Sequence, residues 1–210
     1  MDEPKIFSVI SGPVVGEMGP RSKLVHRDPC PQCGREYWPE VQFLHYELDY
    51  WQGEPLITLQ YNYAVTAALR RAIEAAGIKG ASFRPMEAGF GDVYEQMKED
   101  EGEVVLPEFF QLVIGKTLTA GPGWWVRGPR CPGCGRVQWE NRPWTIKAIL
   151  GGSEAEGVPP RTVVRSGYHG EDLFFLDDPG PPIITERFRQ LLEENGVTGL
   201  ALRRAEFADL

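Results

Sequence analysis

The sequence predicts an α+β fold that is rich in short strands, and three observations support this class. Gly and Pro are numerous, at 24 and 18 of 210 residues, and they divide the chain into short segments. Most segments have the composition of strands, whereas two show the four-residue apolar spacing of a helix. Two stretches of sequence also occur twice. We therefore expect one compact domain over residues 1–210, built from pseudo-duplicated halves at about 5–104 and 105–207.

The predicted strands are short and bounded by turn residues. They cover residues 5–10, 24–27, 56–60, 80–84, 109–114, 144–150, 162–165, 173–176 and 199–203. The run 89–92 contains two glycines but lacks a following Lys-Ser or Lys-Thr, so it is interpreted as a turn and not as a phosphate-binding loop. These patterns do not predict the order of the strands.

Each predicted helix carries apolar residues four apart and ends at a glycine. Val65, Leu69 and Ile73 would share one face of the first helix. Gly77 would end it, because glycine readily adopts the left-handed conformation that closes a helix. In the second copy the corresponding residues are Ile184, Phe188, Leu192 and Gly196, with Thr185 as the predicted N-cap.

The cysteines form the most specific pattern in the chain. The sequence C-P-x-C-G-R-x-x-W begins at Cys30 and again at Cys131. A C-x-x-C turn presents two sulfurs to one metal, and two such turns supply the four ligands of a tetrahedral zinc ion. Four thiolates leave no position open for water or substrate. Cys30, Cys33, Cys131 and Cys134 are therefore predicted to hold one structural zinc ion in a zinc-ribbon-like site that joins the halves.

Three alternatives at the cysteines stay open. Iron accepts the same four ligands as zinc. Two redox-active disulfides would make the chain a thiol-redox enzyme, which predicts an exposed cysteine that alkylating reagents modify before any chelator is added. His26, four residues before Cys30, is a potential substitute ligand.

The net charge of −8 is concentrated in two acidic segments. These acids are candidate contacts to a basic protein partner, and the alternative is that they are solvated loops. They are Asp92, Glu95, Glu99, Asp100, Glu101 and Glu103 in the first segment and Glu171, Asp172, Asp177 and Asp178 in the second. Direct nucleic-acid binding is disfavoured, because a phosphate-binding surface needs clustered Lys and Arg.

No catalytic motif is recognisable, so we expect a protein that is not an enzyme. The most reactive polar cluster, residues 168–172, is interpreted as a surface turn because it has no identifiable nucleophile. The N-terminus lacks a secretory pattern, and no apolar stretch has the length of a membrane span. A cytoplasmic location without membrane contact is expected.

The two C-P-x-C-G motifs, about 100 residues apart in an acidic chain, resemble the double-CXXCG-motif paralogous proteins of myxobacteria. The helix-Gly-(Ile/Val)-x-Gly-strand unit after each motif extends the resemblance over most of the chain. That family includes immunity proteins for toxins delivered between neighbouring cells during swarming. The resemblance implies a cytoplasmic antidote that binds a cognate toxin, which would be basic if the acidic segments contact it.

A second hypothesis is a zinc-ribbon protein that binds nucleic acid or regulates its use. The cysteine turns alone are compatible with that class. The negative net charge argues against it.

Overall fold

The computed structural model of the chain describes residues 3–37, 39–59, 62–92, 94, 105–121, 125–141, 159–177 and 180–209. Strands dominate these residues, and two helices of nine residues each are described in full. The α+β class predicted from the sequence is therefore confirmed. The prediction of one compact domain, built from two related halves at about 5–104 and 105–207, stays a prediction.

The described residues of the first half of the sequence contain nine strands and one helix. They are β1 (Ile6–Ser11), β2 (Gly16–Met18), β3 (Lys23–Val25), β4 (Glu40–Phe43), β5 (His45–Leu48), β6 (Leu56–Leu59), β7 (Asn62–Thr66), α1 (Ala67–Ala75), β8 (Ala81–Pro85) and β9 (Glu87–Phe90).

The second half contains eight described strands and one helix. They are β10 (Phe109–Ile114), β11 (Thr117–Leu118), β12 (Trp125–Arg130), β13 (Val137–Asn141), β14 (Arg161–Val164), β15 (Leu173–Leu176), β16 (Pro182–Thr185), α2 (Glu186–Glu194) and β17 (Ala201–Ala208).

The two larger sheets each contain a strand from the other half of the sequence. The six-stranded sheet has the order β11-β15-β16-β1-β17-β14, so β1 from the first half lies between two strands of the second. The four-stranded sheet has the order β6-β7-β10-β8, so β10 from the second half lies between two strands of the first. Smaller sheets are β2-β5-β9, β3-β4 and β12-β13. Each half thus places its first strand inside the other half's sheet.

The two inserted strands have matching registers. Ile6 at the start of β1 pairs with Thr185, and Phe109 at the start of β10 pairs with Thr66. Each threonine is the last residue of a strand and the N-cap of the helix that follows it. The inserted strand and the adjoining helix therefore begin at the same level in both sheets.

Both helices begin at a threonine cap. The Thr66 side-chain oxygen accepts a hydrogen bond from the Leu69 amide at 3.3 Å, and the Thr185 oxygen accepts one from the Phe188 amide at 3.3 Å. Each oxygen satisfies one of the backbone donors that a helix start leaves without a helical partner. The predicted N-cap at Thr185 is confirmed.

Both predicted helix ends are correct, and the predicted start of the second helix at Thr185 is correct, but the first helix begins later than predicted. Gly77 and Gly196 follow the helices with φ of 62° and 76°, the left-handed region expected of a glycine that closes a helix. Val65, predicted on the first helix, lies instead on the preceding strand β7, and its counterpart Ile184 lies on β16. Pairing with the inserted strands β10 and β1 keeps both residues extended.

The largest apolar cluster packs α1 and α2 together with strands from both halves. Its buried members on the helices and on the inserted strands are Leu69, Ile73, Phe188, Leu192, Val9 and Leu112. Burial of one such side chain stabilises the fold by about 1.5–3 kcal/mol. Residues far apart in the sequence therefore share one apolar core.

Most of the predicted strands are present, and several begin or end one or more residues away from the predicted bounds. The strand predicted at 24–27 is Lys23–Val25, and the one predicted at 162–165 is Arg161–Val164, after which Arg165–Gly167 forms a 3₁₀ turn. The interpretation of 89–92 as a turn is wrong for Gly89 and Phe90. Both belong to β9, which pairs in parallel with β5, and this distant pairing overrides the low strand preference of glycine. The strand predicted at 144–150 lies outside the described residues.

Candidate metal centre

Each cysteine pair lies in a turn between two antiparallel strands. Cys30 and Cys33 lie between β3 and β4, and Cys131 and Cys134 lie between β12 and β13. In an antiparallel pair, the turn that connects the two strands lies at one end of the pair. Both turns can therefore approach a common point.

The backbone of the two turns has the same geometry. In the first turn, the Cys30 amide donates to the Arg35 carbonyl at 3.0 Å, and the Gly34 amide donates to the Cys30 carbonyl at 2.8 Å. In the second turn, both corresponding bonds measure 2.8 Å and join Cys131, Arg136 and Gly135. Gly34 and Gly135 have φ of 68° and 70°, which explains why glycine follows the second cysteine of each pair.

The four sulfurs have the spacing of a tetrahedral thiolate site. The Sγ atoms of Cys30 and Cys131 are 3.8 Å apart, those of Cys33 and Cys134 are also 3.8 Å apart, and all four lie within 4.8 Å of one another. Four sulfurs at about 2.3 Å from a zinc ion would be about 3.8 Å from each other. A disulfide would require about 2 Å, and all four cysteines are free. The cluster can therefore hold one metal ion, and the predicted convergence of the two pairs is confirmed.

The site has a buried side and a more accessible side. Cys30 and Cys131 are 2 % and 5 % exposed, whereas Cys33 and Cys134 are half-buried. Because the cross-half contacts pair buried with buried and half-buried with half-buried, the two turns are arranged symmetrically about the cluster.

Backbone amides lower the pKa of the two buried cysteines and so favour the thiolate form, which binds a cation. Hydrogen bonds from the Cys33 and Gln32 amides lower the pKa of Cys30 from 9.0 to about 6. The Cys134 amide likewise lowers the pKa of Cys131. The Arg35 amide acts in the same direction on Cys33, but desolvation and the thiol hydrogen bonds of the other cysteines outweigh it and raise the pKa of Cys33 to about 11. A bound metal requires thiolates, and the amides stabilise that charged form.

Two arginines join the two cysteine turns. The Arg35 guanidinium donates to the Val137 carbonyl at 3.1 Å, and the Arg136 guanidinium donates to the Glu36 carbonyl at 3.0 Å. Each arginine thus reaches the backbone of the other half. The sequence analysis missed this role, although the arginine recurs in both copies of the cysteine pattern.

The third position of the C-P-x-C motif is Gln32 in the first turn and Gly133 in the second. The closeness of the two turns explains this difference. A Cβ added to Gly133 would lie 2.8 Å from Oε1 of Gln32, the residue at the same position in the first turn. The Gln32 side chain therefore occupies the space that a second side chain would need.

His26 is not part of the cluster. Its side chain is exposed, and the ligand atoms that come together among the described residues are the four cysteine sulfurs. The alternative of a histidine ligand is therefore not supported.

The second acidic segment is held by contacts within the protein. Asp172 is 5 % exposed, and its carboxylate accepts hydrogen bonds from the Lys79 amide at 3.0 Å and the Thr185 hydroxyl at 2.9 Å. Glu171 accepts from the His169 amide at 2.8 Å, and Asp177 accepts from the Ala120 amide at 2.6 Å. The buried Asp172 carboxylate in particular supports the fold and offers almost no surface to a partner.

In the first acidic segment Asp92 is exposed. The other predicted contact residues lie outside the described residues; they are Glu95, Glu99, Asp100, Glu101, Glu103 and Asp178. The assignment of these acids to a partner surface stays a prediction.

The stretches that carry the cysteine turns are basic. Residues 20–43 and 125–141 together contain seven Lys or Arg and four Asp or Glu, although the whole chain has a net charge of −8. Lys23 and Arg130 are exposed, and the side chains of Arg21 and Arg27 are 63 % and 66 % exposed. Counting charges segment by segment would have revealed this asymmetry from the sequence alone.

Comparisons with known proteins add no relative: no family model and no curated protein matches this chain. Among the described residues, no helix has both the length and the apolar character that crossing a membrane requires.

Proposed function

We propose that this chain is an immunity protein, which binds and neutralises a cognate antibacterial toxin delivered by sibling cells. The observation that carries the proposal is the four-sulfur cluster. It unites the two C-P-x-C-G motifs on which the resemblance to the double-CXXCG family rests, and they meet at one point despite lying 101 residues apart. Both motifs therefore contribute their cysteines to the same candidate metal site.

The proposed cofactor is one structural zinc ion. Zinc is the usual occupant of closed four-thiolate sites, and iron is the alternative ion. Closing a loop of about 100 residues costs about 4 kcal/mol of chain entropy, whereas structural zinc contributes about 10–16 kcal/mol in small peptides. A zinc ion is therefore strong enough to hold the two turns together. The role proposed for the protein is recognition and not catalysis, because four thiolates leave zinc no position for a substrate.

We also propose that the two halves arose from one duplicated unit. The support is the recurrence of equivalent contacts: the threonine caps, the glycine ends, the cysteine turns and the inserted first strands. The zinc-ribbon-like site would then be the point where the two copies meet.

The proposed toxin contact is the first acidic segment, from Asp92 to Glu103. Asp92 is exposed at the described end of this segment. Asp172 is excluded from the contact because its carboxylate is buried. A basic toxin surface would be attracted by the remaining acids at moderate salt.

Co-expression with the toxin encoded beside this gene is the direct test. We expect cells that produce both proteins to survive and cells that produce the toxin alone to die. Equal killing with and without this chain would refute the proposed function.

Elemental analysis of the purified protein tests the cofactor separately, with one zinc per chain as the expected value and stoichiometric iron as the contrary result.

A charge-neutral variant locates the contact. Asp92, Glu95, Glu99, Asp100, Glu101 and Glu103 are changed together to their amides, which we expect to weaken toxin binding at least tenfold. The matched control changes six acids elsewhere to their amides, at Glu17, Glu36, Glu40, Glu54, Glu74 and Glu108. If both variants bind the toxin equally, the first acidic segment is not the contact.

The second candidate is a zinc-ribbon nucleic-acid binder, and the basic stretches around the cysteine turns favour it. Exposed Arg21, Lys23, Arg27 and Arg130 are suitable phosphate contacts. This function predicts that DNA or RNA is shifted by the purified protein and released as salt rises. The immunity hypothesis predicts no such shift, so a gel-shift titration separates the two.

A further inference from the structure

Phe83 on β8 and Leu202 on β17 occupy the same position in the two large sheets. Phe83 pairs with Leu112, the fourth residue of the inserted strand β10, and Leu202 pairs with Val9, the fourth residue of the inserted strand β1. All four side chains belong to the apolar core that packs against both helices. The two positions are therefore equivalent, but an aromatic ring stands at one and a smaller leucine at the other.

In the first half, an arginine of α1 lies over the Phe83 ring. The guanidinium carbon of Arg70 is 5.7 Å from the centre of the Phe83 ring and 4.2 Å from the centre of the Phe110 ring. At separations up to about 6 Å, a guanidinium is attracted to the face of an aromatic ring. Phe83 therefore places a ring of this chain beside α1.

In the second half, the arginine recurs but the ring at the position of Phe83 does not. Arg70 and Arg189 are each the fourth residue of their helix, and the Arg189 guanidinium carbon lies 5.6 Å from the ring of Phe7, the β1 counterpart of Phe110. Next to Leu202, a cavity of about 250 Å³ lies between α2 and β17, and we call it the α2 pocket. Its apolar lining consists of Ile184, Leu192, Val197, Leu200 and Leu202.

Size and charge indicate what the α2 pocket accepts. A cavity of about 150 Å³ holds one benzene ring, so about 250 Å³ is enough for one aromatic side chain, whereas drug-sized ligands use pockets of about 300–1,000 Å³. Arg189 and Glu193 also line the pocket, and Arg189 donates hydrogen bonds to both Glu193 and Glu186. Two carboxylates thus accompany one guanidinium. This excess of negative charge favours a ligand that carries a basic group beside its ring.

We propose that the α2 pocket binds a phenylalanine side chain of a protein partner in which Lys or Arg adjoins that phenylalanine. The bound ring takes the place beside α2 that the Phe83 ring takes beside α1. A few aromatic anchors seated in pockets dominate the affinity of many protein interfaces. The inference goes beyond the proposed immunity function, because the pocket lies outside the first acidic segment and its binding is measured without any toxin.

The test uses the zinc-loaded full chain and the peptide acetyl-Lys-Phe-Lys-amide as the probe. The peptide is titrated into protein with ¹³C-labelled methyl groups, and we expect shifts at the methyl groups of Leu192 and Leu202. Those of Leu118 and Leu176, which belong to the other apolar cluster of the six-stranded sheet, should not move. Acetyl-Lys-Ala-Lys-amide, which lacks the ring, should bind at least about tenfold more weakly.

Two matched substitutions exchange the side chains of the equivalent positions. Leu202→Phe should fill the α2 pocket from within and abolish the shifts, whereas Phe83→Leu should create a second site beside α1, seen as new shifts at the Ile73 methyl groups. Equal affinities of the two peptides would overturn the proposal, as would unchanged binding to Leu202→Phe or no shift with about 10 mM of the phenylalanine peptide. If Leu202→Phe does not fold, the comparison of the two peptides on the unsubstituted protein still decides the outcome.

Discussion

Lys79 and Asp172, 93 residues apart in the sequence, exchange two hydrogen bonds, one between their backbones and one to the Asp172 carboxylate. The Asp172 amide donates to the Lys79 carbonyl at 2.9 Å, and the Lys79 amide donates to the Asp172 carboxylate at 3.0 Å. The same carboxylate accepts from the Thr185 hydroxyl and from Arg187 at 2.8 Å. One buried acid thus joins the turn after α1 to the strand and helix of the other half.

Asp172→Asn is expected to destabilise the protein by about 2–4 kcal/mol, because it removes the charge from a buried carboxylate that accepts several hydrogen bonds. Denaturant unfolding of the zinc-loaded protein measures this loss. The matched control is Asp209→Asn, which removes an exposed carboxylate that pairs with Arg165 and should cost less than about 1 kcal/mol. Equal effects of the two substitutions would contradict the structural role of Asp172.

Gly80→Ala is expected to be far more damaging than Gly199→Ala. Both glycines have positive φ, 94° and 76°, so both substitutions introduce backbone strain of about 1 kcal/mol. The Cβ at position 80 would also lie 1.9 Å from the Leu173 carbonyl oxygen, whereas at position 199 the nearest atom is Pro13 Cδ at 4.0 Å. We expect Gly80→Ala to cost at least about 3 kcal/mol. Similar unfolding midpoints for the two variants would show that the turn after α1 does not pack closely against β15.

Cys30→Ser is expected to abolish stoichiometric zinc binding and to lower the unfolding temperature strongly. The serine hydroxyl is a poor zinc ligand, so only three of the four thiolates of the closed site would remain. The measurements are elemental analysis and thermal unfolding with and without a chelator. Ser22→Ala, which leaves all four sulfurs in place, is the control and should keep one zinc per chain. A Cys30→Ser protein with unchanged stability would show that metal binding does not support the fold.

Arg35→Ala and Arg136→Ala are expected to speed zinc loss to a chelator, since each removes a hydrogen bond that holds the two turns together. Each bond should contribute about 1–2 kcal/mol, and the double variant should lose more than either single one. The release of zinc is followed with a colorimetric chelator. Arg204→Ala, at a 75 % exposed side chain, should leave the rate unchanged.

The ion pair of Glu186 with Arg189 should make stability depend on acid pH. Hydrogen bonds from the Arg189 guanidinium lower the pKa of Glu186 below its ordinary 4.5. A carboxylate with a lowered folded pKa stabilises the fold above the unfolded value, and this contribution is lost as pH falls through the folded value. Glu186→Gln should therefore lower the unfolding temperature above the ordinary pKa of 4.5, and the difference should shrink as the pH falls through the lowered folded pKa. For Glu206→Gln, whose partner Arg204 lies 3.7 Å away, the difference should be small at every pH.

The cysteine cluster, the glycine helix ends and several strands could be predicted because their signals are local. A C-x-x-C turn brings two sulfurs together within four residues, and Gly77 and Gly196 end helices by a property of their own backbone. Val65 was misassigned because its apolar spacing fits a helix as well as a buried strand. Pairing with both β6 and β10 makes it a strand residue.

The sequence by itself determined which four sulfurs meet, where the helices end and which copies of each pattern correspond. The tertiary structure alone decided that β1 enters the second half's sheet and β10 the first half's. It also decided that Asp172 is buried inside the protein. The physical reason is that strand partners and the burial of a charge depend on residues about 100 positions away, and no local preference of the chain specifies those distant neighbours.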